Sequence, residues 1–235
     1  MIETVAETGS TNADLIARLA AGEPLPEGYW LVTDRQSAGR GRQGRSWEDA
    51  TGNFMGSTII RPGHGDPIPH TLSLAVGLAV YEALSEVAAV ASKTRLKWPN
   101  DVMIGKAKLA GILLENSSGV IVAGIGVNLA HAPQVEGRET VALSQFGPAP
   151  DRDLFADKLA VSLDRELERW RSYGLETLIR RWQAAADPPG TSMTVHEPNG
   201  KRVSGEFAGL ASDGSLQLRL ANGETRSIHA GEVAP

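Results

Sequence analysis

The 235-residue sequence contains no cysteine. Disulfides, thiolate metal sites and cysteine nucleophiles are therefore excluded, and the absence fits the cytoplasm. No cationic segment followed by an apolar run opens the chain, so no signal peptide is read. Long uncharged apolar runs are also missing. The most apolar stretch, residues 72–90, carries Glu82, Glu86 and two serines, which reads as a buried helix rather than a membrane span. No internal repeat or low-complexity segment occurs. The five histidines are scattered, and even His64 and His70 make no convincing ligand pair, so no protein-only metal site is assigned. A formal net charge of -5 argues against a dedicated nucleic-acid protein. What is present is 41% hydrophobic residues and 22% charged ones, enough for one ordinary core with room for a small second domain.

Against that acidic background, four arginines (Arg35, Arg40, Arg42, Arg45) fall within eleven residues, in Asp-Arg-Gln-Ser-Ala-Gly-Arg-Gly-Arg-Gln-Gly-Arg-Ser-Trp at 34–47. Gly39, Gly41 and Gly44 between them predict a loop free to move rather than a helix or packed strand. Glycine backbone with guanidinium forks suits a polyphosphate; alone, it reads sooner as a solvated basic loop or a nonspecific nucleic-acid patch. Residues 39–44 also spell G-x-G-x-x-G, but another turn follows where a crossover helix is required, which rejects a dinucleotide fold.

In chain order, a strand at 2–6 leads through a turn to a helix at about 12–20, placing Ser10-Thr11-Asn12 at a helix N-terminus, where capping alone would explain them. A strand at 29–33 feeds the arginine loop with Gln36 at its exit, and the sheet resumes at 54–60. A helix at about 70–90 carries Leu74, Leu78, Tyr81 and Leu84 as scaffold. A strand at 94–98 ends at Pro99, and Asn100-Asp101 turns into 102–104. In the next strand, 108–115, period-two alternation sets Lys108 with Ala110, Ile112 and Leu114 on one face, and Leu109, Gly111 and Leu113 on the other. In the strand at 121–129, Gly124, Gly126 and Asn128 share a face, a bare backbone surface against which a flat bicyclic ligand would lie. A helix capped by Asp151 runs to about Tyr173, with Leu154, Leu159, Leu163 and Leu167 apolar, and another spans about 176–185. Asp187-Pro188-Pro189-Gly190 marks a boundary between residues 1–187 and 188–235. Beyond it, turns at 198–200, 212–214 and 222–223 punctuate short alternating strands, the pattern of a small antiparallel barrel.

Gly-Arg-Gly-Arg-Gln-Gly-Arg-Ser-Trp at 39–47 resembles the signature loop of the biotin protein ligases. Three further stretches agree in order and spacing: Ser10-Thr11-Asn12, Lys97-Trp98-Pro99-Asn100-Asp101, and Lys108-Leu109-Ala110-Gly111-Ile112-Leu113. The resemblance implies an α/β fold with a central mixed sheet flanked by helices, a small C-terminal SH3-like β-barrel, and the short form without an N-terminal DNA-binding domain. It implies ATP-dependent formation of biotinyl-5'-AMP and transfer of biotin to a lysine of a biotin carboxyl carrier protein. Ser10, Thr11, Asn12, Gln36, Gly39, Arg40, Gly41, Arg42, Lys108, Gly111 and Gly126 are then expected at biotin. Arg40, Arg42, Arg45, Trp47, Asn100, Lys108 and Asn128 are expected at ATP or the adenylate. Lys108, Arg40, Arg42 and Asp101 are expected to carry the chemistry, with Mg2+ arriving with ATP near Asp101. A lipoate or octanoate enzyme of similar fold and an inactive biotin-binding module are the alternatives. No sequence-specific DNA contact and no membrane are expected, and monomer or homodimer stays open.

Overall fold

The structure is a computed structural model describing residues 1–90 and 93–234. A seven-stranded sheet takes the strands β1 (Ile2–Thr8), β2 (Trp30–Gln36), β3 (Phe54–Ile60), β4 (Thr94–Lys97), β5 (Asp101–Ile104), β6 (Ala107–Ser117) and β7 (Val120–Val127). Their spatial order is β1-β2-β3-β7-β6-β5-β4, with β1 parallel to β2 and every other pairing antiparallel. The sheet is thus mixed and flanked by helices, as the sequence predicted.

One face packs on α2 (Leu72–Val87), α3 (Arg152–Ser172) and α4 (Gly174–Ala185), and Trp30, Phe54, Leu96, Ile112, Trp170 and Trp182 belong to that core. The helix α2 is buried almost all round, which explains its dense Leu, Ala and Val content. It starts at Leu72 rather than His70, because Pro69–Thr71 form a 3-10 turn first. Asp151 caps α3, its carboxylate accepting from the N–H groups of Asp153 and Leu154 at 2.9 Å. Leu154, expected in the apolar stripe, is 51% exposed, and Phe155 and Ala156 take the core positions instead.

The opposite face is only half covered. There α1 (Thr11–Ala20) buries Leu15 against Leu31, Ile59 and Val122. Period-two alternation along β7 then carries the same face from Val122 to Gly124 and Gly126, beyond the N-terminus of α1.

A second, antiparallel sheet joins β8 (Ser192–His196), β9 (Arg202–Leu210), β10 (Leu216–Arg219), β11 (Thr225–Ile228) and β12 (Glu232–Val233) in the order β11-β10-β9-β8-β12. Its inward residues Val195, Phe207, Leu216, Leu218 and Val233 are contiguous with the main core.

The expected alternation of β6 is corrected by a bulge. Val102 opposes Ala110 while the next residue, Met103, opposes Lys108, leaving Leu109 as the extra residue. Leu109 and Ala110 therefore both enter the core, and Lys108 crosses to the face of Gly111. Lys108 also pairs with the segment after β7, donating its N–H to Glu139 and accepting from Val141.

Candidate functional site

The uncovered half-face is walled at one end by uncharged polar groups. Ser10 caps α1, and the following Thr11 donates its N–H to Gln36 Oε1 at 2.9 Å, with its Oγ1 3.1 Å from the same oxygen. Thr11 Oγ1 lies 2.6 Å from Ser57 Oγ, which donates to Asn12 Oδ1 at 2.5 Å. Asn12 Nδ2 in turn donates to Glu115 Oε2 at 2.7 Å and to the Leu113 carbonyl at 3.4 Å. Ser10, Thr11, Asn12, Gln36 and Ser57 are all buried. Ser10, Thr11 and Asn12 are thus brought together with Gln36, which lies 25 residues beyond Thr11. Ser57 and Glu115 escaped the sequence reading, although alternation along β3 and β6 points both to this face.

Next to this wall lies the glycine floor. A Cβ on Gly124 would run into the Asn12 amide, one on Gly126 into the Trp47 ring, and one on Gly111 would stand 3.1 Å from that ring. Trp47 lies flat over Gly111 and Gly126, so the bicycle resting on this surface belongs to the chain itself. Its indole N–H is buried without a partner, and Lys108 Nζ sits 5.7 Å from the ring centroid. The arginine loop reaches this position through a tight hairpin rather than an open coil. Arg40 bridges Ser46, residues Arg42–Gly44 make one 3-10 turn, and Gln43 and Gly44 take φ of 60° and 74°. Gly39 is obligatory for that path, because a Cβ there would stand 2.6 Å from the Trp47 carbonyl.

The other end is charged. Lys108 Nζ donates to Asp101 Oδ1 at 2.6 Å. Arg42 donates to Asn100 Oδ1 at 2.9 Å, and burial pushes its guanidinium down from its ordinary value. Asn100 is fixed by donating Nδ2 to the Ile112 carbonyl at 2.6 Å. Glu232 from β12 accepts from Arg45 and from Arg138, and Arg138 stands 3.9 Å from Asp101. Lys97 donates to the Ala234 carbonyl at 3.2 Å, and burial pushes its ammonium down. These groups line a cleft of about 570 Å³ between the two sheets. A larger cavity of about 940 Å³, beside β4 and the second sheet, touches the four sequence stretches only at Lys97 and Trp98.

The predicted site residues converge, with two shifts of place. Arg40 turns to the polar end, 3.4 Å from Glu115, away from Arg42 and Arg45. Asn128 faces the cleft, but its amide donates to the carbonyls of Lys108 (3.4 Å) and Val141 (3.1 Å), bracing the strand instead of standing free. Lys97, Arg138 and Glu232 were not foreseen; of these only Lys97 carries a sequence signal, as the first residue of its motif.

A model of the biotin/lipoate A/B protein ligase family matches residues 10–130, and one of the biotin protein ligase C terminal domain matches residues 194–234. A biotin–[acetyl-CoA-carboxylase] ligase from Mycobacterium tuberculosis is 37% identical over 99% of this chain and 88% of its own. The chain belongs to the biotin protein ligase family. A ligase of the same description from Paracoccus denitrificans is also 37% identical, over 97% of this chain and 98% of its own. Among solved structures, a biotin protein ligase from Aquifex aeolicus in complex with biotin and ATP superposes with a TM-score of 0.85. It is 26% identical and covers 99% of this chain and 97% of that one. For a biotin protein ligase the two ends are informative: one offers neutral hydrogen-bond partners, the other fixed cations, and Lys108 stands where they meet.

Proposed function

We propose that this chain is an ATP-dependent biotin–[acetyl-CoA-carboxylase] ligase, joining biotin to a carrier lysine through biotinyl-5'-AMP. The observation that carries it is the single trough in which a neutral polar wall, a bare glycine floor and a cationic cleft follow one another. A ureido head group finds both donors and acceptors among Thr11, Asn12, Gln36 and Ser57. A bicycle of a ureido ring fused to a tetrahydrothiophene fits the floor once Trp47 withdraws, and the carboxylate then points to Lys108. A dithiolane or an alkyl chain would leave the polar wall unpaired, which favours biotin over lipoate or octanoate.

In the first step a biotin carboxylate oxygen attacks the α-phosphorus of ATP, the bond to the β-phosphate oxygen breaks, and pyrophosphate leaves. Lys108, Arg42, Arg45 and Arg138 supply fixed positive charge where the phosphate oxygens gain negative charge. In the second step the carrier amine attacks the carbonyl carbon, the C–O bond to AMP breaks, and the nitrogen loses its proton. Asp101 is the group assigned to that proton, which requires Lys108 to leave it for the phosphate.

Mg2+ belongs with the nucleotide. Among the described residues no three His, Cys, Asp or Glu side chains group to hold a metal. The one carboxylate beside Lys108, Asp101, fits as a single additional oxygen ligand, and the ion would supply charge neutralisation of the phosphates. Among the described residues no helix is long and apolar enough to cross a membrane, and the reading places the reaction in the cytoplasm, without sequence-specific DNA contact.

Exchange of labelled pyrophosphate into ATP, with biotin, lipoate and octanoate supplied separately, tests the reading. Exchange with biotin alone is the expected result. Exchange with lipoate but not biotin replaces the substrate, and silence with all three from folded protein removes the enzyme.

A further inference from the structure

The polar wall has a direction, and one residue outside the four sequence stretches sets it. A carboxylate accepts hydrogen bonds and cannot donate them, so the Asn12 side chain must turn Nδ2 toward Glu115 Oε2, 2.7 Å away. That leaves Asn12 Oδ1 facing inward, where Ser57 Oγ donates to it at 2.5 Å. With its proton committed, Ser57 can only accept from Thr11 Oγ1, 2.6 Å away, so the single Thr11 hydroxyl proton goes to Ser57 rather than to Gln36 Oε1 at 3.1 Å, which keeps the Thr11 N–H as its donor. Every hydroxyl proton in the row therefore points toward Asn12. The lone pairs left over belong to Asn12 Oδ1, Thr11 Oγ1 and Gln36 Oε1, while Gln36 Nε2 remains a donor.

We infer that Glu115 is a positioning residue for specificity: by fixing the Asn12 amide it makes the wall acceptor-rich, demanding a ligand head that presents N–H donors. This rests on the proposed biotin reading, since a cyclic urea has two such N–H groups and a dithiolane has none. Chains of hydrogen bonds reinforce one another at low dielectric, so losing the polarity costs more than the one contact to Glu115. Glu115→Gln is the decisive change. It keeps shape, but a carboxamide can donate as well as accept, so only the longer, 3.4 Å contact to the Leu113 carbonyl is left to orient the Asn12 amide and the row loses most of its direction.

The test measures pyrophosphate exchange and equilibrium biotin binding for wild type and Glu115→Gln, with lipoate as the donor-free comparison and a melting curve for each. The expected result is a KM and a Kd for biotin raised about ten-fold, or about 1.4 kcal/mol. The biotin kcat, the KM for ATP, the weak response to lipoate and the melting temperature stay unchanged. The double variant Asn12→Asp with Glu115→Gln restores an obligate acceptor facing Ser57 and is expected to regain affinity for biotin. An unchanged biotin KM in Glu115→Gln overturns the inference. So does a loss shared by biotin and lipoate, which would trace to the Arg40 contact, or one accompanied by a lower melting temperature. Absence of biotin-dependent exchange in wild type would instead overturn the proposed function.

Discussion

Glu232 joins the second sheet to the arginine loop, and Glu232→Gln measures how much that joint holds. The carboxylate accepts from both Arg45 and Arg138, with side-chain exposures of 27% for Glu232, 43% for Arg45 and 21% for Arg138. Neutralising it leaves Arg42, Arg45, Lys97, Lys108 and Arg138 in one cleft with Asp101, Glu48 and Glu136 as the remaining carboxylates. Exposed ion pairs contribute about 0.2–1 kcal/mol and hydrogen bonds to charged groups about 1.5–3 kcal/mol. The half-exposed contact to Arg45 belongs near the lower figure and the one to Arg138 between them, for a joint loss of about 2 kcal/mol. In a chain of this size that lowers the melting temperature by about 4–8 °C at pH 7. The acid side supplies the check on mechanism. Burial raises the Glu232 carboxyl, but the hydrogen bonds and charges of Arg45 and Arg138 outweigh it and hold it below its ordinary value. The folded chain therefore binds this proton less readily than the unfolded one. The stabilisation is complete above the ordinary glutamate value near ~4.3 and is lost as pH falls through the lower folded value. Scanning calorimetry from pH 7 downward should show the two curves converging below about pH 4. Equal melting temperatures at pH 7, or a difference that persists in acid, would refute the reasoning.

Gly126→Val fills the space now held by the Trp47 ring, and should raise the KM for biotin about 100-fold with little loss of stability, read from exchange kinetics and melting. Glu166→Ala removes a fully buried carboxylate that accepts from Arg169 at 2.5 Å and from Arg181 at 2.5 and 2.9 Å, tying α3 to α4. Because both guanidiniums reach solvent, the loss should be about 3 kcal/mol, the low end for breaking a buried pair, seen as an earlier urea midpoint. Asp101→Asn, given preformed adenylate, should slow transfer to the carrier about 100-fold, and full transfer would remove Asp101 as the base.

Local chemistry was legible in the sequence wherever neighbours in the chain decide it. The Asp151 cap, the 54–60 strand and the glycine face of β7 depend on short-range rules, and they stand where periodicity put them. Lys108 was placed on the wrong face because strict alternation assumes an unbroken ladder; the bulge at Leu109 depends on pairing with β5, which a pattern along one strand does not encode. Glu232 was missed for a related reason: it lies 187 residues from Arg45, and a glutamate in a short strand near the end of a small barrel has no motif around it. Ser57 and Glu115 are legible from alternation alone, since β3 and the part of β6 beyond the bulge run without interruption and set both on the face of Asn12.

The Trp47 indole has a calorimetric consequence. A pocket open to water buries fresh apolar surface when ligand enters, and shows it as a strongly negative heat-capacity change. Here the floor over Gly111 and Gly126 is already dry, so an entering bicycle takes over area that the tryptophan gives up. The heat-capacity change then reports where the displaced indole goes: it stays negative if the indole settles against the bound ligand, and falls toward zero if the indole is released into solvent, where its exposed area offsets what the ligand buries.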